Sequence, residues 1–209
     1  MFIILAETHK IIAEKIYENV QKRYNLNLDL DKLKWGSIAP DYLPYYKLHR
    51  HYYDESIEFI VNEIISLIYI SRYVDLYEMK PVFRKYFSKK LGIISHYICD
   101  FTCLPHANRI TFTKNMRQHI KYENDLNEFA KIFKFNKSEI NIYNIKIEDE
   151  VTLREQIVSY IENAISLYKS KESSYSKDLN FGLSLSNFIV DFILESVFSY
   201  CGEIEVQLV

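Results

Sequence analysis

Glycine and proline, the residues that most readily interrupt a regular chain, occur only four times each in 209 residues. A β-rich fold of this length turns often and draws on far more of both, so their scarcity points to long helices with few connections. The apolar periodicity agrees. Ile11, Ile12, Ile16 and Val20 share one side of a helix that Thr8 can cap and that runs to about Val20. Asp31 starts a short helix that must end near Pro40. Asp54 can cap a strongly apolar helix through about Ser71, and Pro81 suits the first turn of one reaching about Cys103, just before Pro105. Thr113 opens a helix through about Phe133, and residues 134–147 read as a polar connection. Two helices follow, over roughly 148–170 and 178–200, the second with Leu185, Phe188, Ile189, Phe192, Ile193 and Val197 on a wide apolar face. No alternating strand pattern, internal repeat or low-complexity linker breaks the series. The expectation is one all-α, multi-helix domain over residues 1–209.

Charge and the termini narrow the classes of function. Twenty-six basic residues stand against 28 acidic ones, so there is no broad basic field for duplex nucleic acid or an anionic membrane. The 18 tyrosines fit a compositional bias that also enriches Ile, Lys and Asn, and carry little functional weight. Met1 to Ala6 has no basic start and too short an apolar run for a secretory leader. No apolar stretch reads as long enough to span a bilayer, so a cytoplasmic protein without integral membrane association is expected. Cys99, Cys103 and Cys201 lack metal-finger spacing and read as small buried hydrophobes.

The chemistry lies in the histidines: His9, His49, His51, His96, His106 and His119. His96 and Asp100 form an HxxxD on one predicted helix, and His119 and Glu123 an HxxxE on the next. Residues four apart project from the same helical face, so each pair can close on one ion. Zinc accepts both imidazole nitrogen and carboxylate oxygen. His106 lies between the pairs, just after Pro105, and Asp41 follows Pro40. A single HxxxD often arises by chance, as a surface pair or a satisfied core histidine. Asp41 could cap a turn, and His49 and His51 could be a solvated loop. Two pairs flanking a third histidine are harder to read as accident, because these residue types are not the usual content of a helical core.

The ordered set His9, Ile38-Ala39-Pro40-Asp41, Arg50-His51-Tyr52, His96-x3-Asp100, His106 and His119-x3-Glu123 resembles the zinc-dependent phospholipase C family, whose fold is shared with fungal single-strand zinc nucleases. The resemblance implies two to three zinc ions in one cleft. Asp41, His51, His96 and Asp100 would hold the first. His106, His119 and Glu123 would hold the second and leave it an open position. His9 and Asp100 would hold the third, with Asp100 bridging. His49 is the rival to His51, and the Arg-His-Tyr context favours His51. Secreted members complete the third site with an N-terminal tryptophan, whereas the one tryptophan here is Trp35. The Met1 amino group or Glu7 could substitute for it. No counterpart of the membrane-binding C-terminal domain of the toxin-type members is expected within residues 1–209.

The activity this implies is phosphodiester hydrolysis by zinc-activated water, with Asp41 as ligand and catalytic base and a phospholipid or other phosphodiester as substrate. Two other readings stay open at the level of sequence. One is a single-strand nuclease whose tyrosines stack bases. The other is a zinc-binding but catalytically degenerate helical protein.

Overall fold

The structure is a computed structural model that describes residues 6–110, 112–135 and 152–207, with side chains at 112–114 and 201–207 outside the description. The described residues form helices and connections, with no strand among them. The helices are α1 (Ala6–Tyr24), α2 (Leu30–Gly36), α3 (Ala39–Tyr42), α4 (Tyr53–Ser71), α5 (Pro81–Phe101), α6 (Leu104–Ala107), α7 (Phe112–Ile132), α8 (Leu153–Ser170) and α9 (Tyr175–Gln207). A short 3-10 turn, Pro44–Leu48, joins α3 to the segment before α4. The all-α expectation is met, and the element order follows the periodicity.

Several boundaries have other causes than the sequence suggested. α1 begins before Thr8, whose backbone N–H and hydroxyl donate instead to Asn127 Oδ1 of α7, at 3.0 and 2.5 Å. Asp29, not Asp31, caps α2 by accepting from Lys32 N–H. Tyr52, not Asp54, occupies the N-cap of α4 and offers no side-chain hydrogen bond, while Asp54 pairs with Arg109. A missing cap forgoes about 1 kcal/mol. Each fully buried Ile or Leu contributes about 1.5–3 kcal/mol. Ile60, Val61, Ile64, Leu67 and Ile68 are buried along α4, so packing decides that this helix forms. Thr152 caps α8 through a reciprocal capping box with Glu155, and the expected 134–147 connection falls largely outside the described residues, as do residues 148–151 of the expected helix.

α5 is the central shaft. Every residue from Leu91 to Phe101 is buried, and α1, α2, α4 and α9 pack around it. Its contact with α2 is backbone against backbone. A methyl group on Gly92 would run into the Leu33 carbonyl and stand 2.7 Å from Ser37 nitrogen, and one on Gly36 would strike the Lys89 carbonyl. Two of the four glycines therefore serve a helix crossing. Gly92 lies one turn before His96, so this crossing sets what His96 can touch.

α9 corrects one expectation. Its segment Tyr175–Tyr200 is long and apolar enough, by length and composition, to cross a bilayer, which the sequence reading had missed. Most of that segment is buried against the other helices, including Phe181, Leu185, Ile189, Ile193 and Val197. It also carries the buried polar side chains Asp178, Asn180, Ser186, Asn187 and Asp191. Its apolar character is that of a core helix. Cys99 and Cys103 are free and buried, as expected, while the Cys201 side chain is outside the description.

Gly92→Ala is expected to cost about 1–3 kcal/mol by forcing α2 away from α5. Thermal denaturation measures this. An unchanged melting temperature would mean that the two backbones do not need this approach.

Candidate metal centre

The buried half of α5 presents His96 and Asp100 four residues apart, which puts both on one face. Around Asp100 the structure gathers His9 from the start of α1, His51 from the segment before α4, and His106 from α6. Oδ1 of Asp100 lies 3.4 Å from His9 Nε2 and 3.9 Å from His106 Nε2. Oδ2 lies 2.8 Å from His51 Nδ1 and 3.2 Å from His96 Nε2. Each oxygen thus faces two imidazoles. Asp41 of α3 approaches from the open side, its Oδ1 3.7 Å from both His51 Nδ1 and His96 Nε2. On α7, His119 Nε2 closes directly on Glu123 Oε1, and His106 Nε2 is 3.5 Å from the same oxygen.

All eight candidate residues named from the sequence are therefore brought together. Three groups, His9–Asp41–His96, His51–His96–Asp100 and His106–His119–Glu123, have donor atoms within 4.8 Å of one another. His49 is excluded by its packing. Its ring stacks on Phe59 at 3.9 Å, and its carbonyl accepts a hydrogen bond from Tyr97. Glu7 is 54 % exposed and paired with Lys10 rather than with the cluster, and Met1 lies outside the described residues.

Residues without chemistry of their own orient these donors. Ser37 carbonyl sits 2.9 Å from His96 Nδ1, which directs Nε2 into the cluster. Ile110 carbonyl, 2.8 Å from His119 Nδ1, does the same for Nε2 of that ring. Asn127 pins the first turn of α1, beside His9, to α7. Tyr97 and Ser56 hold the chain around His49 and Arg50, immediately before His51. The sequence reading missed all of these. The glycines at 36 and 92 were the one available signal for the first.

Electrostatics and hydrogen bonding test whether a cation fits. Burial alone works to raise the Asp100 carboxyl, yet His106, His96 and His9 hold it well below the usual carboxylate range. Burial likewise opposes charge on His96, but Asp100 and Asp41 push it up to about 9. Burial pushes the His51 imidazole down. Burial also works to raise Glu123, and His106 and His119 outweigh it, leaving that carboxyl lowered. Both ring nitrogens of His9, both of His106 and Oδ2 of Asp100 are buried without a hydrogen-bond partner. Leaving such atoms unsatisfied costs about 1–3 kcal/mol each. A divalent cation bound by nitrogen and carboxylate oxygen would satisfy the Nε2 atoms of His9 and His106 that face Asp100, and Oδ2 of Asp100, and this donor set suits zinc.

The family model for zinc dependent phospholipase C matches residues 8–175, a span containing every residue of the cluster. Among solved structures, the alpha-toxin of Clostridium perfringens from avian strain SWCP is similar, with a TM-score of 0.53 at 18% identity. The match covers 95% of this chain and 63% of the toxin chain, so this chain spans less than two thirds of the toxin's length. At that identity the likeness is one of fold. No curated protein matches the chain.

In the metal-free protein, His96 is expected to titrate near about 9 rather than at its free value of about 6.5. A raised pKa stabilises the fold below about 6.5 and loses that contribution as pH rises through about 9. A cation using Nε2 must displace the proton, so zinc affinity should rise about tenfold per pH unit over that window. Ring titration by NMR and chelator-buffered zinc binding measure the two effects. Titration near 6.5 with pH-independent affinity would show that the carboxylates do not govern this ring.

Proposed function

This chain belongs to the zinc-dependent phospholipase C family, and from that we propose that it is a zinc-dependent hydrolase of phosphodiesters, with a phospholipid or related phosphodiester as substrate. The observation that carries this reading is the buried Asp100 carboxylate ringed by four imidazoles, with unpartnered donor atoms on His9, His106 and Asp100 itself. In the proposed arrangement Asp41, His51, His96 and Asp100 form one ligand set. His106, His119 and Glu123 form a second. His9 and Asp100 would contribute to a third, with Asp100 shared between the first set and this one. Zinc held there supplies positive charge for the phosphoryl oxygens and makes water acidic enough to ionise near neutral pH.

The chain's own groups divide the remaining work by depth. His9, His96, Asp100, His119 and Glu123 are each at most about 5 % exposed and cannot reach a substrate except through what they hold. The side chains of Asp41 and His51 are 26 % and 20 % exposed and line the open side. A phosphodiester therefore enters past Asp41. Its carboxylate is placed both to hold an ion and to take a proton from the attacking water. Low-dielectric walls around α5 keep competing water away and strengthen every charge interaction in the cleft.

Hydrolysis of a nitrophenyl phosphodiester is expected to vanish on chelation and to return with zinc. Asp41→Asn is expected to lower kcat by about 100-fold or more, and full activity in that variant would remove Asp41 as the base. Cleavage of phosphatidylcholine over single-stranded DNA supports the lipid reading, and the reverse preference would make the protein a nuclease. Inertness of the zinc-loaded protein on all three would leave a zinc-holding role.

Asp100→Ala is expected to lose more than one ion per chain in elemental analysis, whereas His119→Ala loses one. Loss of a single ion in both variants would reject the bridge.

A further inference from the structure

Outside the cluster, one buried carboxylate has no part in the chemistry so far. Asp178, in the first turn of α9, is 4 % exposed. Its Oδ2 accepts from the Leu104 backbone N–H at 3.0 Å and from the Tyr122 hydroxyl at 2.7 Å, and its Oδ1 accepts from the Tyr168 hydroxyl at 2.7 Å. Its neighbour Lys177 donates to the carbonyls of Lys171 and Tyr168 instead. A first-turn aspartate normally serves its own helix. Here the oxygens serve α6, α7 and α8.

Two of those contacts fall on the elements that carry His106, His119 and Glu123. α6 is four residues long, and Cys103 at its N-cap provides no side-chain hydrogen bond. Leu104 N–H is one of the turn's orphan donors, and Asp178 satisfies it two residues before His106. Tyr122 precedes Glu123 and follows His119 by three residues on α7. α7 has a small apolar anchorage, with Leu126 and Ala130 packed against Cys103 and Leu179. A four-residue turn and a lightly anchored helix have to meet within ångströms for His106 Nε2 to lie 3.5 Å from Glu123 Oε1.

We infer that Asp178 is a positioning residue for the second ligand group, holding α6 and α7 in register through the Leu104 N–H and the Tyr122 hydroxyl so that His106, His119 and Glu123 converge on one ion. This rests on the reading that those three residues bind zinc. In Asp178→Ala the Leu104 N–H and both tyrosine hydroxyls lose their acceptor inside the protein. The turn bearing His106 is then free to part from α7, while the α5 residues and the crossing at Gly92 are untouched. Asn at this position keeps one oxygen for Leu104 and Tyr122 and turns its amide toward Tyr168, whose hydroxyl can accept.

The test is zinc binding by chelator competition on the full chain, with helical content followed by circular dichroism. His119→Ala marks which ion belongs to the second group. Asp178→Ala is expected to weaken that same ion by about 10–100-fold, as loss of an outer hydrogen-bond partner does, and to leave the others unchanged. Asp178→Asn is expected to restore most of the affinity. The double variant with His119→Ala should lose no more zinc than His119→Ala alone.

If Asp178→Ala fails to fold, Tyr122→Phe carries the same test, with weakening of that one ion expected. A melting temperature lowered with all zinc affinities unchanged, or all ions weakened alike, would overturn the positioning role. Unchanged zinc binding in His119→Ala would overturn the ligand group as well. A normal effect of His119→Ala with none from Asp178→Ala or Tyr122→Phe would overturn this inference alone.

Discussion

A carboxylate taken out of water is tolerated only where other charges or donors compensate it, and Asp100 is compensated by four imidazoles, two on each oxygen. The geometry around it is unlike a finished hydrogen-bond network. Oδ2 has no well-aligned hydrogen bond although His51 Nδ1 is 2.8 Å away, and both His9 and His106 keep unpartnered nitrogens. Rings that only neutralised the carboxylate would aim N–H groups at it. Ring nitrogens of His9 and His106 crowded beside this carboxylate without hydrogen-bond partners suit a positive charge at the middle. The need to bring α1, α3, the His51 segment, α5 and α6 to one carboxylate constrains the fold around the shaft.

That convergence is set by the backbone as much as by side chains. The α2–α5 crossing allows no Cβ at Gly36 or Gly92, and it delivers the Ser37 carbonyl to His96 Nδ1. The carbonyl decides which nitrogen of His96 faces Asp100 and Asp41. A glycine one turn away thus acts on the imidazole through helix position. Asn127 works in the same indirect way, since it seats the turn of α1 that carries His9. Long helices are poor at fine adjustment but rigid once packed. Here the fine placement falls to short elements, α3 and α6, fastened to that rigid frame.

The helices and the two i,i+4 pairs were legible because both are local: periodicity and one turn of helix suffice to see them. Asp41, His51 and His106 reach the cluster through tertiary structure that no spacing reveals. The sequence named them only through the resemblance of their ordered context. His49 and His51 could not be separated by local chemistry. Stacking on Phe59, a residue of α4, removes His49 from the cluster. Thr8 and Asp54 carry good capping side chains, yet tertiary partners, Asn127 and Arg109, compete for them. Asp178 was unreadable for the same reason, as its partners lie 74, 56 and 10 residues away.

The distribution of burial suggests how such a centre can be both tightly built and open to substrate. Charge interactions are strong where water is excluded, which favours the depth of Asp100, His96, His119 and Glu123. A group that must release and take up protons during turnover needs contact with solvent. Asp41, the proposed base, is placed for it: it sits on a four-residue helix preceded by no side-chain cap, at the edge of the cluster, 3.7 Å from the His51 and His96 imidazoles. Its neighbours on the chain, Tyr42 and Tyr45, are exposed. This separation follows from placing one residue of the proposed first set on a surface helix and two others, His96 and Asp100, on the shaft.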